Sequence, residues 1–255
     1  MPNSITKTTK RVLVVSDNFK LLKVALESLK DASKHSAISY TSRYSSVNEE
    51  PDQLSILGAS ALNLNDQIQV DWAIRNFDLI FSIHCKQIFP SDLVSNVQSI
   101  NFHPGFNPFN RGWFPQAFSI MNGMPAGVTV HVMDSEVDHG AIICQQTVPI
   151  ESWETSLEVY EKVINAEIEL IKSWVPTIID GNFPTVKPDN DGNYNSIKDF
   201  QNLCKLDLDQ IGTLKEHINL LRALSHGDFQ NAFFIAENGE KISVSVSFTK
   251  MNKDN

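Results

Sequence analysis

The sequence predicts an α/β fold: a mostly parallel, doubly wound sheet followed by a small α+β extension that ends in a β-hairpin. Three observations lead there. Short apolar runs of strand length, RVLVVS (Arg11–Ser16) and DLIFSIH (Asp78–His84), alternate with amphipathic stretches of helix length. Such nearly all-apolar runs belong to strands covered on both faces, as in parallel sheets. A composition change over Gly181–Ser196, with two prolines, two glycines and four asparagines, then marks a linker or excursion. The boundary is placed at 185, giving a body of residues 1–185 and an extension of residues 186–255.

In chain order, residues 1–10 read as a polar tail and Arg11–Ser16 as the first strand. Ser16 and Asp17 are placed to cap a helix from Asn18 to Ala32, whose Leu21, Leu22, Ala25, Leu26 and Leu29 form one stripe. This first strand–helix turn lacks G-x-G-x-x-G, so a dinucleotide site is not expected there. A strand follows near Ile38–Thr41, then a polar surface loop over Ser42–Ser60. Leu64–Phe77 holds a helix, and Asp78–His84 a buried strand running into the loop His84–Ile88. Parallel sheets place ligands at such strand ends. Ser91–Val97 is a short helix leading into a strand at Val97–Phe102.

Gly112–Met121 reads as helical, with a turn at Asn122-Gly123. Gly127–Met133 alternates, with Val128, Val130 and Val132 on one face and Thr129 and His131 on the other. Ala141–Pro149 is the next strand. Thr155–Trp174 is a long amphipathic helix, with Thr155 and Glu158 at capping-box spacing. The extension holds a helix at Leu214–Leu224 and a hairpin, Ala232–Ala236 with Lys241–Phe248, around Asn238-Gly239, a type I′ signal.

Composition narrows the function. The 255 residues are 42% hydrophobic and 20% charged, as in ordinary soluble proteins. A net charge of -9 argues against a nucleic-acid binder held by phosphate contacts. Three cysteines (Cys85, Cys144, Cys204) cannot all pair and show no CxxC spacing, so a reducing cytosol is the simplest setting. No membrane span or signal peptide is expected.

The chemistry concentrates between Ser99 and Gln146. One strand delivers Asn101 and His103 to a Pro/Gly/Asn-rich loop. A second runs into a loop carrying Asp134, Asp138 and Gly140. Asn, His and Asp are the groups needed to hold an oxyanion, move a proton and fix a histidine tautomer. His131 reads as a packed or surface strand histidine and His139 as an exposed loop residue. The spacings of His131, His139 and Cys144 fit no common zinc site, so no metal is expected.

The order I-N-F-H-P-x-x-x-P-x-x-R-G, then N-G-x-x-x-G-V-T-V-H-x-x-D-x-x-x-D-x-G-x-I-I, resembles the catalytic core of the 10-formyltetrahydrofolate-dependent formyltransferases. The likeness is close over Phe77–Ile171 and looser before it. It implies a Rossmann-like catalytic domain with 10-formyltetrahydrofolate as formyl donor and Asn101, His103 and Asp138 as catalytic residues. It places the pterin between the loop of His84, Cys85, Lys86 and Ile88 and the loop of Asp134, Asp138 and Gly140. For Asp134 a turn-forming role stands as the alternative.

HPGFNPFNRGWFPQ departs from the Ser-Leu-Leu run that usually follows His-Pro in relatives acting on ribonucleotide or tRNA. It is similar to enzymes that formylate an amino group on a dTDP-linked dideoxysugar. The implied acceptor is dTDP-4-amino-4,6-dideoxyglucose, with a 3-amino sugar as alternative, in the assembly of a surface polysaccharide. The implied substrate contacts are Lys86, Phe106, Asn107, Asn110, Arg111, Tyr194 and Phe200. Arg111 and Lys86 are either pyrophosphate partners or surface cations. Tyr194 and Phe200 either stack on a pyrimidine or anchor the linker. From Val186 on, eight Lys and Arg stand against ten Asp and Glu, the wrong balance for tRNA. The hairpin is a candidate homodimer contact, with packing on its own core as the competing role. Glycinamide ribonucleotide as acceptor, hydrolysis of the donor, and a silent binding module remain the rival readings.

Overall fold

The structure is a computed structural model, and it describes residues 9–251. In chain order, the first part forms β1 (Lys10–Ser16), α1 (Phe19–Ala32), β2 (Ile38–Ser45), α2 (Asp52–Ile56), β3 (Ser60–Leu62), α3 (Gln67–Asn76), β4 (Leu79–Ile83), α4 (Ser91–Asn96) and β5 (Gln98–His103). The middle forms β6 (Arg111–Gly112), α5 (Pro115–Asn122), β7 (Ala126–Val132), β8 (Ile142–Val148) and α6 (Ser156–Asp180). The last part forms β9 (Tyr194–Asn195), α7 (Ile197–Cys204), α8 (Leu214–Leu224), β10 (Ser225–His226), β11 (Phe229–Gln230), β12 (Ala232–Ile235) and β13 (Lys241–Val244). The expected tail at 1–10 lies mostly outside the described residues. Two compact units interleave along the chain. One comprises the residues up to His103 with Thr129–Gln145 and Glu167–Asp189; the other comprises Pro104–Val128, Gln146–Ala166 and the residues from Asn190 on.

The first unit is built on a seven-stranded sheet in the order β3-β2-β1-β4-β5-β7-β8. β1, β2, β3, β4 and β5 pair in parallel, and β7 runs antiparallel to β5. Val12–Val15 and Leu79–Ile83 are buried because both faces of these central strands are covered, as their apolar runs require. The chain winds outward from β1 to β3, then crosses to β4 on the other side of β1. That reversal leaves the ends of β1 and β4 side by side, where doubly wound sheets bind ligands. There the Asp17 amide donates to the His84 carbonyl at 3.3 Å.

Several elements differ from expectation. Asn18, not Ser16 or Asp17, caps α1, accepting from the Leu21 amide at 3.1 Å, a contribution of about 1 kcal/mol. Asp17 is drawn away to the ends of β2 and β4. The expected loop at 42–60 contains the end of β2, the helix α2 and the start of β3. Polarity hid them: Ser42 and Ser45 are buried at hydrogen-bonded positions. α6 begins as expected, with the Glu158 carboxylate accepting from the Thr155 amide at 2.9 Å, but it continues past Pro176 to Asp180.

In the second unit, α5, α7, α8, β12 and the start of α6 bury one apolar cluster that includes Ala117, Phe118, Val159, Phe200, Leu224 and Ala232. α7 and α8 each open on a full capping box, Ser196 with Asp199 and Thr213 with Glu216. Arg222, nearly buried, donates through Nη1 to the Glu151 and Glu154 carbonyls at 3.0 and 2.7 Å, which ties α8 to the lead-in of α6.

The hairpin forms at the expected place with a different turn. Gly239 has φ +86 and Asn238 does not share the positive sign that type I′ demands. The Gly239 amide donates to Ala236 and the Ala236 amide to Glu240, the pattern of a three-residue loop closed by one left-handed glycine. Ala232 is buried in the cluster while Ile235 and Ile242 face solvent. Packing on its own core and an outward apolar face therefore coexist in this hairpin.

Candidate active site

The end of β5 and the loop after β7 bring four polar side chains together in the first unit. Asn101 and His103 leave β5 opposite His131 and Thr129 of β7. Asp138 sits in the following loop at φ +52, a left-handed conformation that Asp tolerates better than most residues. One oxygen of its carboxylate collects the group. Oδ1 accepts from Asn101 Nδ2 at 2.9 Å, and lies 3.4 Å from His103 Nδ1 and 3.6 Å from His131 Nε2. His103 and His131 are buried, with their rings edge to face.

This geometry sets what each group can do. An amide nitrogen carries two N–H bonds, so Asn101 has a second one beyond the bond to Asp138. A carboxylate facing His103 Nδ1 favours the tautomer with its proton there and leaves Nε2 for proton exchange. His131 turns Nδ1 to the Val132 carbonyl at 2.9 Å and Nε2 toward Asp138.

The sequence reading gave His131 a packed or surface place and did not set it beside Asp138. It assigned the face of β7 opposite the valines to packing or solvent, yet Thr129 and His131 are as buried as Val128 and Val130. The available signal was register: an antiparallel partner of β5 must set a residue beside Asn101, and here it is histidine.

Gly140 holds the loop against β7. A Cβ there would stand 1.7 Å from the Val132 carbonyl oxygen, so only glycine fits. Asp134 spends its carboxylate within the loop, accepting from the Glu136 amide at 2.9 Å and facing His139 Nδ1 at 2.9 Å. That is the turn-forming role held open for it.

The loop after β4 is the other expected wall. Lys86 and Ile88 are exposed, Ile88 by 69%. Asp17 ties this loop to β2. Its carboxylate accepts from the Lys86 amide at 2.6 Å, the Ser45 amide at 2.9 Å and Asn48 Nδ2 at 2.9 Å. Cys85 is not a nucleophile here, because burial pushes its thiol up to about 12. Among the described residues no group of three or more His, Cys, Asp and Glu is placed to hold a metal ion.

The remaining expected contacts lie in the second unit. Phe106 is half-buried and Asn107 buried. β6 and β9 set Arg111 beside Tyr194, whose ring is 46% exposed. One expectation changes and one open choice narrows. Asn110 is fully buried; its Nδ2 donates to Ser119 Oγ at 3.0 Å, and its oxygen accepts from Asn122 and Asn193 at 2.8 Å each. The structure makes it an internal strut rather than a substrate contact. Phe200 stacks on Phe114 with centroids 3.9 Å apart, which is the anchoring role of the two open to it.

Comparison with known proteins accords with this geometry. Residues 6–175 match the family model described as formyl transferase, and residues 199–250 match the N-formyltransferase dimerization C-terminal domain. The chain is 47% identical over 173 residues to the dTDP-4-amino-4,6-dideoxyglucose formyltransferase of Mycobacterium tuberculosis, covering 68% of this chain and 74% of that protein. Its fold superposes on a sugar N-formyltransferase from a Shewanella species with a TM-score of 0.92 at 45% identity, over 95% of this chain and 99% of that one. A 4-N formyltransferase from Francisella tularensis gives a TM-score of 0.85 at 40% identity, over 95% and 99%. On the match over most of its length and the near-complete superposition, the chain belongs to the formyl transferase family.

Proposed function

We propose that the protein is an N-formyltransferase that moves a formyl group from 10-formyltetrahydrofolate to the amino group of a dTDP-linked amino-dideoxysugar. The leading acceptor is dTDP-4-amino-4,6-dideoxyglucose. The observation that carries the reading is the convergence of Asn101, His103 and His131 on one oxygen of Asp138. Family membership and the names of the similar sugar N-formyltransferases support the substrate class.

In this reading a neutral amine attacks the formyl carbon. A new C–N bond forms, the bond from the formyl carbon to the donor's nitrogen breaks, and a proton passes from the amine to that nitrogen. The second N–H of Asn101 stabilises the charge that develops on the formyl oxygen. Asp138 orients His103 and raises its basicity, and His103 relays the proton through Nε2. The loops at His84–Ile88 and Asp134–Gly140 hold the pterin. Arg111 and Tyr194 contact the diphosphate and base of the acceptor, and Lys86 adds a cation.

Residues 1–185 carry the transfer, and residues 186–255 form the accessory and dimer-forming part of a homodimer. The exposed Ile235 and Ile242 belong to its contact face. No described helix is long and apolar enough to cross a membrane. The proposed setting is a reducing cytosol, and the proposed context is surface polysaccharide synthesis.

An acceptor screen tests the reading. Tetrahydrofolate release is followed with dTDP-4-amino-4,6-dideoxyglucose, the 3-amino isomer, the UDP-linked counterparts, glycinamide ribonucleotide and no acceptor. Turnover confined to a dTDP-amino sugar is the expected result. Turnover on glycinamide ribonucleotide overturns the substrate assignment.

A further inference from the structure

A buried histidine–carboxylate contact stands at the root of the loop after β4, and no step of the proposed transfer uses it. His84 follows the last residue of β4 with φ +53, a conformation that non-glycine residues with bulky side chains rarely adopt. Its Nε2 lies 2.8 Å from Oε2 of Glu167 in α6. Glu167 is fully buried, and His84 exposes 14% of its side chain. Burial raises the Glu167 pKa and the neighbouring His84 opposes that rise.

Stability alone does not account for this arrangement. Desolvating a carboxylate and an imidazole is costly, and well-packed apolar residues at such sites are often as stable or more so. Glycine at 84 would also relax the left-handed backbone. The pair does fix direction. Beyond His84, the Lys86 amide is held by Asp17, and the Gln87 side chain bridges the Leu64 amide at 2.7 Å and the Leu62 carbonyl at 2.8 Å. The loop is thus laced to the ends of β1 and β3 along its length, while its first residue is held from the helix side by Glu167. Ile88 is left as an exposed apolar tip.

We propose that Glu167 is a positioning residue for the formyl donor: through His84 it sets the direction in which the Cys85–Ile88 loop leaves β4, and thereby the affinity for the pterin. This rests on the reading of that loop as a wall of the donor site. What the proposal asks of Glu167 is an oxygen held beside the His84 ring, so an amide of the same shape at 167 should hold the ring in place.

The test compares the full-length protein with Glu167→Leu, Glu167→Gln and Ile88→Asp by steady-state kinetics and thermal melting. Glu167→Leu is expected to raise KM for 10-formyltetrahydrofolate about tenfold, which corresponds to about 1.4 kcal/mol of binding. KM for the amino-sugar acceptor stays within about twofold, and Glu167→Gln recovers most of the loss. Should Glu167→Leu fail to fold, His84→Gly carries the same expectation, since it removes the ring and relaxes the backbone. An unchanged donor KM in Glu167→Leu overturns the proposal. So does an equal rise in donor and acceptor KM alongside a lowered melting point. Ile88→Asp separates the two levels. If it raises the donor KM while Glu167→Leu does not, the loop stays in the donor site and only the positioning role falls. If it leaves the donor KM unchanged, the reading of the loop falls and the proposal with it.

Discussion

His103→Ala is expected to lower kcat by about 10² to 10⁴, the range that a positioned general acid–base group contributes. Binding of tetrahydrofolate is expected to stay within about threefold, because the pterin walls proposed above lie in other loops. The size follows from the geometry. His103 faces Asp138 at 3.4 Å, and its neighbour Asn101 donates to the same oxygen. Alanine therefore removes the proton-carrying ring and leaves the carboxylate held by Asn101. The check is a single-turnover rate measured beside a folate titration. A kcat within about threefold of the native value would remove His103 from the transfer step.

Gly140→Ala is expected to cost at least about 10² in kcat/KM, although residue 140 carries no chemistry of its own. The added Cβ would overlap the Val132 carbonyl oxygen at 1.7 Å and its carbon at 2.9 Å. Both belong to the backbone of a sheet strand and cannot step aside as a side chain can. The loop must move instead, and Asp138 lies two residues away in it. A displacement of about 1 Å at a catalytic group suffices for a loss of that size. Gly212→Ala is the matched control, because its Cβ would meet only the side chains of Glu216 and His217, at 3.2 Å or more. Kinetics and melting curves of the two variants check the claim. Equal activities would mean that the loop after β7 does not position Asp138.

The parts of the fold legible in the sequence are those whose residue pattern has one physical meaning. Val12–Val15 and Leu79–Ile83 could only be strands buried on both faces. Asn101 and His103 were legible as polar groups at a strand end, while the choice of Asp138 to join them was what the family resemblance implied, and the structure sets all three together. The parts that were not legible depend on polar residues in buried places. Ser42 and Ser45 continue β2 because the backbone ladder and Asp17 satisfy them. Polarity alone reads such residues as loop.

Two buried polar placements were hidden by the same ambiguity. A histidine alternating with valines reads as either packed or solvent-facing, and the structure buries His131 with Nε2 toward Asp138. A glutamate at position 167 looks like helix surface, although Val163, Ile164, Leu170 and Ile171 around it are all buried. A charge set on an apolar stripe was the available signal, and its partner, His84, lies far away in sequence. The reverse error occurred at Asn110. A polar residue in a substrate-like motif was read as outward-facing, when a set of asparagines claims it inside the protein.

The fate of the formyl group tests the central claim most directly. The protein is incubated with 10-formyltetrahydrofolate carrying a ¹³C label in the formyl group and with dTDP-4-amino-4,6-dideoxyglucose, and the products are followed by NMR. The account predicts that the label appears as a formamide on the sugar, one for each tetrahydrofolate released. Label appearing as free formate, with the amino sugar unchanged, would contradict it and make the protein a hydrolase of the donor.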